Sequence, residues 1–272
     1  MDDAYSVQTT AADTKDQDGL ETLMALKDAD TFLVADHWGD VKSGADGLFD
    51  RDTRLLSHFV LTVGRARPSR LSSGVTEDNV FFTCHSTNRP LPPMGGRSAP
   101  AGVLHLERRR FLWDRRLVER VRMVNHGNED ILLPLAFEFG ADFADIFQVR
   151  GTPRKRRGKI HAPVMDGRRV TFRYTGLDDT VRTSCLSFSE PPARLSENRA
   201  EFMFSLPKSK KLDLYIECGV DVCDTPDKDR WRLNAVQARL AIRRTVRRGA
   251  SVGAPRDPRI NDWLAQSGTD VA

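Results

Sequence analysis

Three consecutive segments place apolar residues at alternate positions: "VLHLERRRFLW" (103–113), "LVERVRMVNHG" (117–127) and "ILLPLAFEF" (131–139). Side chains alternate between the two faces of a strand, whereas a helix repeats every 3.6 residues, so this texture requires a sheet with one wet face. In the second segment Leu117, Val121 and Met123 share a face and Arg120 and Arg122 take the other. In the third, Ile131, Leu133, Leu135, Phe137 and Phe139 line one face. Short turns at "WDRR" and "NHGNED" then predict that these three strands form an antiparallel meander.

The rest of the chain repeats the theme. "TFLVADHWGDV" is a strand entering a turn, "RLLSHFVLTVG" a strand closing on Gly64, and "NVFFTCHSTN" another. Further strands are expected at "RRVTFRYTG", "TVRTSCLSFS", "RAEFMFSL" and "KLDLYIECGVDV", while the proline- and glycine-rich "NRPLPPMGGRSAPAG" reads as an irregular loop. About ten strands with turns every 8–12 residues predict a mostly β chain, a large antiparallel β-sandwich. Only the end departs from this. "DRWRLNAVQARLAIRRTVRRG" carries Leu233, Val236, Leu240 and Ile242 at helical spacing, and "INDWLAQSG" begins a second helix. The organisation expected is a disordered tail over 1–22, a sandwich domain over 23–227, and a helical segment over 228–272.

Composition excludes several classes. The formal charge of +4 is mild, so the chain is not basic throughout. No stretch approaches the roughly 18 apolar residues of a membrane span, and "MDDAYSVQTTAADTKDQDG" is polar and acidic, unlike a secretory signal. Cys84, Cys185, Cys218 and Cys223 are scattered, which suits a reduced cytoplasmic protein better than a zinc or disulfide framework. The six histidines form no metalloprotease motif, no serine sits in a G-x-S-x-G elbow, and no glycine run cradles phosphate. No metal and no cofactor are expected.

Two loops concentrate chemistry. In "ADFADIFQVRG" (141–151), Asp142 stands where it would cap a helical turn and Asp145 where its carboxylate would favour free N–H groups. Phe143, Ile146 and Phe147 would point inward, and Arg150 would pair with an acid. The competing readings are a glycosidase acid pair and non-catalytic contact with sugar hydroxyls. Glycosidase pairs flank a sugar ring at roughly 5–9.5 Å, and two acids on one turn point the same way, which disfavours catalysis. In "GLFDRDTRLLS" (47–57), Asp52 would bond backbone N–H groups and Arg54 would pair with an acid. "TPRKRRGK" (152–159) holds five cations in eight residues, a solvated loop or a phosphate-backbone contact. It lacks aromatic residues for stacking, so nucleic acid is the disfavoured reading.

Four strings in order, "TFLVADHWGDV", "GLFDRDTRLLS", "LSSGVTEDNVFFTCHSTN" and "LAFEFGADFADIFQVRG", resemble the N-terminal domain of bacterial glycogen-debranching-type proteins, the amylo-α-1,6-glucosidase group. The resemblance runs from about Thr31 to Trp263. It implies a β-supersandwich preceding an (α/α)6 barrel that carries the catalytic carboxylates, so no catalytic residue is expected in this chain. The implied partners are an α-glucan and a separately encoded α-helical barrel, since "DPRINDWLAQSGTDVA" resembles only the lead-in to the first barrel helix. One position departs: the family pattern F-E-V-R-G has Gln148 in place of its glutamate. Asp52, Arg54, Asp142, Asp145 and Arg150 are the candidate carbohydrate-contact or structural residues.

Overall fold

The computed structural model describes residues 23–248 apart from 43, 95–96, 153 and 222–223. The expected tail over 1–22, the second helix at "INDWLAQSG" and Cys223 lie outside the described residues. The strands, in chain order, are β1 (Met24–Asp28), β2 (Thr31–Ala35), β3 (Gly47–Asp50), β4 (Thr53–Leu56), β5 (His58–Val63), β6 (Ser69–Val75) and β7 (Phe82–Thr87). There follow β8 (Leu91–Met94), β9 (Arg97–Ala99), β10 (Leu104–Trp113), β11 (Arg116–Asn125) and β12 (Ile131–Gly140), then the single-turn helix α1 (Ile146–Val149). The series ends with β13 (Lys159–Ile160), β14 (Val164–Asp166), β15 (Arg169–Thr175), β16 (Val181–Phe188), β17 (Arg194–Leu195), β18 (Arg199–Leu206), β19 (Lys211–Gly219) and the long helix α2 (Lys228–Arg248).

A nine-stranded sheet runs β13-β15-β16-β19-β11-β10-β7-β6, with β14 also on β15. A four-stranded sheet runs β17-β18-β12-β5, and a second one runs β1-β2-β3-β4. All recorded pairings between strands are antiparallel, the arrangement expected of the sandwich. The first two sheets face each other across aromatic contacts: Phe137 on Phe188 at 5.8 Å, Phe139 on Phe172 at 6.2 Å, and Phe188 on Phe202 at 5.3 Å. Such offset and edge contacts are the favoured ring geometries, and they bury large apolar area.

The three-stranded meander is corrected. β10 and β11 form the expected hairpin, but β12 pairs with β18 and β5 in the opposite sheet, while β11 takes β19 as its other neighbour. Buried Asn125 fixes the crossing. Its side-chain amide donates to the Glu129 and Leu206 carbonyls, and its side-chain oxygen accepts from Gly127 N–H. "RLLSHFVLTVG" likewise divides at Ser57 into β4 and β5, which belong to different sheets. "NRPLPPMGGRSAPAG" holds the short hairpin β8–β9 where a loop was expected.

α2 forms where the spacing predicts a helix. Trp231, Ala235, Ala238 and Ile242 pack on Phe111 and Val118 of the nine-stranded sheet and on Val80 and Phe81 just before β7. Leu233, Val236 and Leu240, read at helical spacing in the sequence, are 60, 56 and 38% exposed. Ile242 alone of the four is turned inward. No helix among the described residues is long and apolar enough to cross a membrane.

Candidate functional site

The two acid-bearing loops meet at one corner. The segment leaving β12 runs beside β4: Arg54 N–H donates to the Ala144 carbonyl (2.8 Å) and Ile146 N–H to the Asp52 carbonyl (3.0 Å). Below it, Phe143 stacks on Tyr174 of β15, ring centroids 5.6 Å apart. The corner therefore ties together all three large sheets. Phe143 adopts φ of 51°, an uncommon conformation for a non-glycine residue, and this turn carries its ring into the core.

Asp142 is clamped by Arg54, with Nε to Oδ1 at 3.1 Å and Nη2 to Oδ2 at 2.6 Å. The remaining Arg54 donor, Nη1, reaches the Gly44 and Asp46 carbonyls at 2.8 and 3.0 Å. A forked, charge-assisted pair of this kind is among the stronger polar contacts. Gly47 makes room for it. A Cβ there would lie 2.6 Å from Arg54 Cδ, so the arginine stem crosses the strand only over glycine.

Asp145, rather than Asp142, is the helix cap. Its Oδ1 accepts from the N–H groups of Phe147 (2.9 Å) and Gln148 (3.0 Å), and Gln148 Oε1 accepts from Asp145 N–H (3.2 Å), which completes a capping box on α1. Either glutamate or glutamine serves at that third position, so the departure at Gln148 leaves the box intact. Asp145 Oδ2 also meets Arg154 Nε at 2.5 Å. Partial burial pushes the Asp145 carboxyl up. Hydrogen bonds from the Gln148 amide, Arg154 and the Phe147 amide outweigh it and hold the group below the ordinary carboxylate range.

Arg150, expected to pair with an acid, is exposed and acts through its backbone. Its N–H closes the turn on the Ile146 carbonyl at 3.0 Å, and among the described residues it pairs with neither aspartate. Arg54 and Arg154 take those places. Phe147 is exposed, against expectation, while Phe143 is buried. Asp52 sits with Arg51 at the tip of the β3–β4 hairpin, both with positive φ, and joins the corner through its carbonyl. Both corner acids are thus engaged by cations and amides, contacts that hold the turn.

A second polar centre was not anticipated. Arg108 and Arg110 lie on the core face of β10 in phase with Leu104, Leu106 and Leu112, and Glu119 lies on the core face of β11. Glu119 accepts from Arg108 Nε (2.7 Å) and Arg110 Nη2 (2.8 Å). Arg108 also bonds the Asp40 carboxylate, and Arg110 the Gly39 carbonyl. Asp36 caps the "DHWGD" turn through the N–H groups of Trp38 and Asp40, and Arg67 joins Asp36 to Asp40. Burial pushes the Glu119 carboxyl up, and the two guanidiniums outweigh it and bring it below its usual range. The signal was present in the sequence, since Glu119 alternates in phase with Leu117, Val121 and Met123.

Among solved structures the chain is similar to a putative kojibiose phosphorylase from human microbiome (7% identity, TM-score 0.43), covering 88% of this chain and 28% of that one. It is similar to a putative aldose 1-epimerase from Escherichia coli K12 (8%, 0.43), covering 74% of this chain and 99% of that one. It is also similar to a heparan sulfate lyase from Pedobacter heparinus (12%, 0.34), covering 72% and 31%. The chain thus spans less than a third of the length of the phosphorylase. No curated protein matches it. The family match stops inside β19, short of the Trp263 limit expected from the resemblance, but it covers most of the sandwich. Residues 26–217 match the N-terminal domain of (some) glycogen debranching enzymes, and the chain belongs to that family.

Proposed function

We propose that this chain is a non-catalytic sandwich module of a glycogen-debranching-type protein, docking through α2 onto an all-helical (α/α)6 catalytic barrel and contributing contact with α-glucan. The carrying observation is the outward stripe of α2. Leu233, Val236 and Leu240 recur at helical spacing on one face while the opposite face of the helix seals the nine-stranded sheet. In this reading the sandwich domain spans 23–227, and 228–272 leads toward the barrel. Asp52, Arg54, Asp142, Asp145 and Arg150 shape the corner rather than perform chemistry. A cytoplasmic location belongs to the same reading and is supported by the buried, reduced thiols of Cys84 and Cys218.

The test is sedimentation of the chain with a barrel of the glycogen-debranching type supplied as a separate polypeptide. The wild type should form a complex. Val236→Glu and Leu240→Glu should lose it with unchanged melting temperature. Equal behaviour of wild type and both variants sinks the docking reading. Glycogen binding, measured in parallel, should change little between about 50 and 200 mM salt, whereas nucleic acid held by the 152–159 loop would weaken by orders of magnitude. That alternative has less support, because residues 152–159 include no aromatic side chain on which a base could stack.

A further inference from the structure

We infer that the cleft beside the corner binds a phosphate monoester carried on a hexose. The cleft encloses about 310 Å³, at the lower end of the roughly 300–1,000 Å³ typical of small-ligand sites. Arg154, Arg156, Arg157 and Arg182 line it, from two segments far apart in sequence. Against these four cations stand Asp145 and Asp178, and both are occupied. Asp145 caps α1 and holds Arg154, while Asp178 accepts from Thr180 N–H (3.2 Å) and lies 3.6 Å from Arg182. The lining carries a net charge of +2, and among the described residues the Arg156 guanidinium pairs with no acid.

The donors are also positioned. Arg157 is anchored on the Asp142 carbonyl, and the next residue, Gly158, donates its N–H to the Tyr174 hydroxyl at 2.8 Å. Arg157 therefore stands at a fixed place with further N–H groups to offer. A guanidinium presents paired donors that match phosphate oxygens, and two of them balance a dianion. The lining also holds what a bare anion does not need: Tyr174, whose ring stacks on buried Phe143, and the exposed Leu177. Aromatic and apolar side chains beside the cations fit a sugar ring bearing a phosphate. This site is separate from the α2 surface, so failure of either proposal leaves the other standing.

The test is calorimetric titration of the full chain with glucose 6-phosphate, a 6-phosphorylated maltooligosaccharide, inorganic phosphate and glucose, at pH 5.5 and 7.5. Glucose 6-phosphate should bind saturably, more tightly than inorganic phosphate, and glucose should not bind. Binding should strengthen toward pH 7.5 as the ester loses its second proton near about pH 6. Arg156→Gln, which breaks no contact of the corner, should weaken binding about tenfold at unchanged melting temperature. Tighter binding of the phosphorylated oligosaccharide than of glucose 6-phosphate would identify a glucan-borne ester as the source, and equal binding a free sugar phosphate. The proposal is overturned if neither ester binds, if inorganic phosphate binds as well as the esters, or if Arg156→Gln binds as the wild type does. A single-stranded oligonucleotide that displaces the sugar phosphate at equal phosphate concentration would overturn it in favour of nucleic acid.

Discussion

At the level of single residues, the corner motif is a set of polar partners with one-to-one assignments. Arg54 serves Asp142 and two carbonyls at once, so a point charge cannot replace its fork. Arg54→Lys should cost about 2 kcal/mol in denaturant unfolding, with little rescue over Arg54→Ala. Asp145 contributes differently. Its folded carboxyl sits below the ordinary value, so the ionised form stabilises the fold at pH above the unfolded value near ~3.9. That contribution is lost as pH falls through the folded value. Asp145→Asn keeps the cap but removes the charge. The melting-temperature gap between wild type and this variant should therefore be open at pH 7 and close as pH falls below about 4. The sequence placed these acids in a turn and pointed to Asp142 as the cap, a place that Asp145 takes. The positive φ at Phe143 shifts the start of α1 by three residues, and no local preference announces a buried phenylalanine in that conformation.

Elements were legible wherever one face is wet, and less so where a strand changes sheet. The alternation in 104–139 identified all three strands, but alternation is blind to which neighbour a strand chooses. The partner of β12 is set by Asn125 at the crossing, a single buried amide with no periodic signature. In α2 the spacing identified the helix but not the face it buries, which carries Trp231, Ala235, Ala238 and Ile242. Ala235 and Ala238 let it approach Phe81 and Phe111, and Arg230 clamps buried Glu217 at 2.6 and 3.0 Å. Substitution distinguishes the two faces. Ala238→Leu should cost about 1–3 kcal/mol by overpacking, whereas Leu233→Ala and Leu240→Ala should stay within about 0.5 kcal/mol of wild type. A larger loss at Leu240 than at Ala238 would mean that the faces are reversed.

Across the whole molecule, two polar centres join the sheets. The buried Arg108–Glu119–Arg110 group reaches through Asp40 to the turn after β2, and the Asp142–Arg54 corner links the β12 exit to β4 above Tyr174. Removing one member of a buried ionic group leaves the others unpaired, so Glu119→Gln should cost about 3–5 kcal/mol by chemical denaturation. Three of the four sequence strings that resemble the debranching family, "DHWGDV", "FDRDTR" and "ADFADIFQVRG", supply these two centres. In the reading proposed above, these strings serve architecture rather than chemistry. That reading is tested most directly by assaying glucose release from an α-1,6-branched dextrin by wild type and Asp145→Ala, with both melting temperatures recorded. The account predicts no release above buffer from either protein and a stability loss of about 1–2 kcal/mol in the variant. Release by the wild type that vanishes in Asp145→Ala at unaltered melting temperature would contradict it.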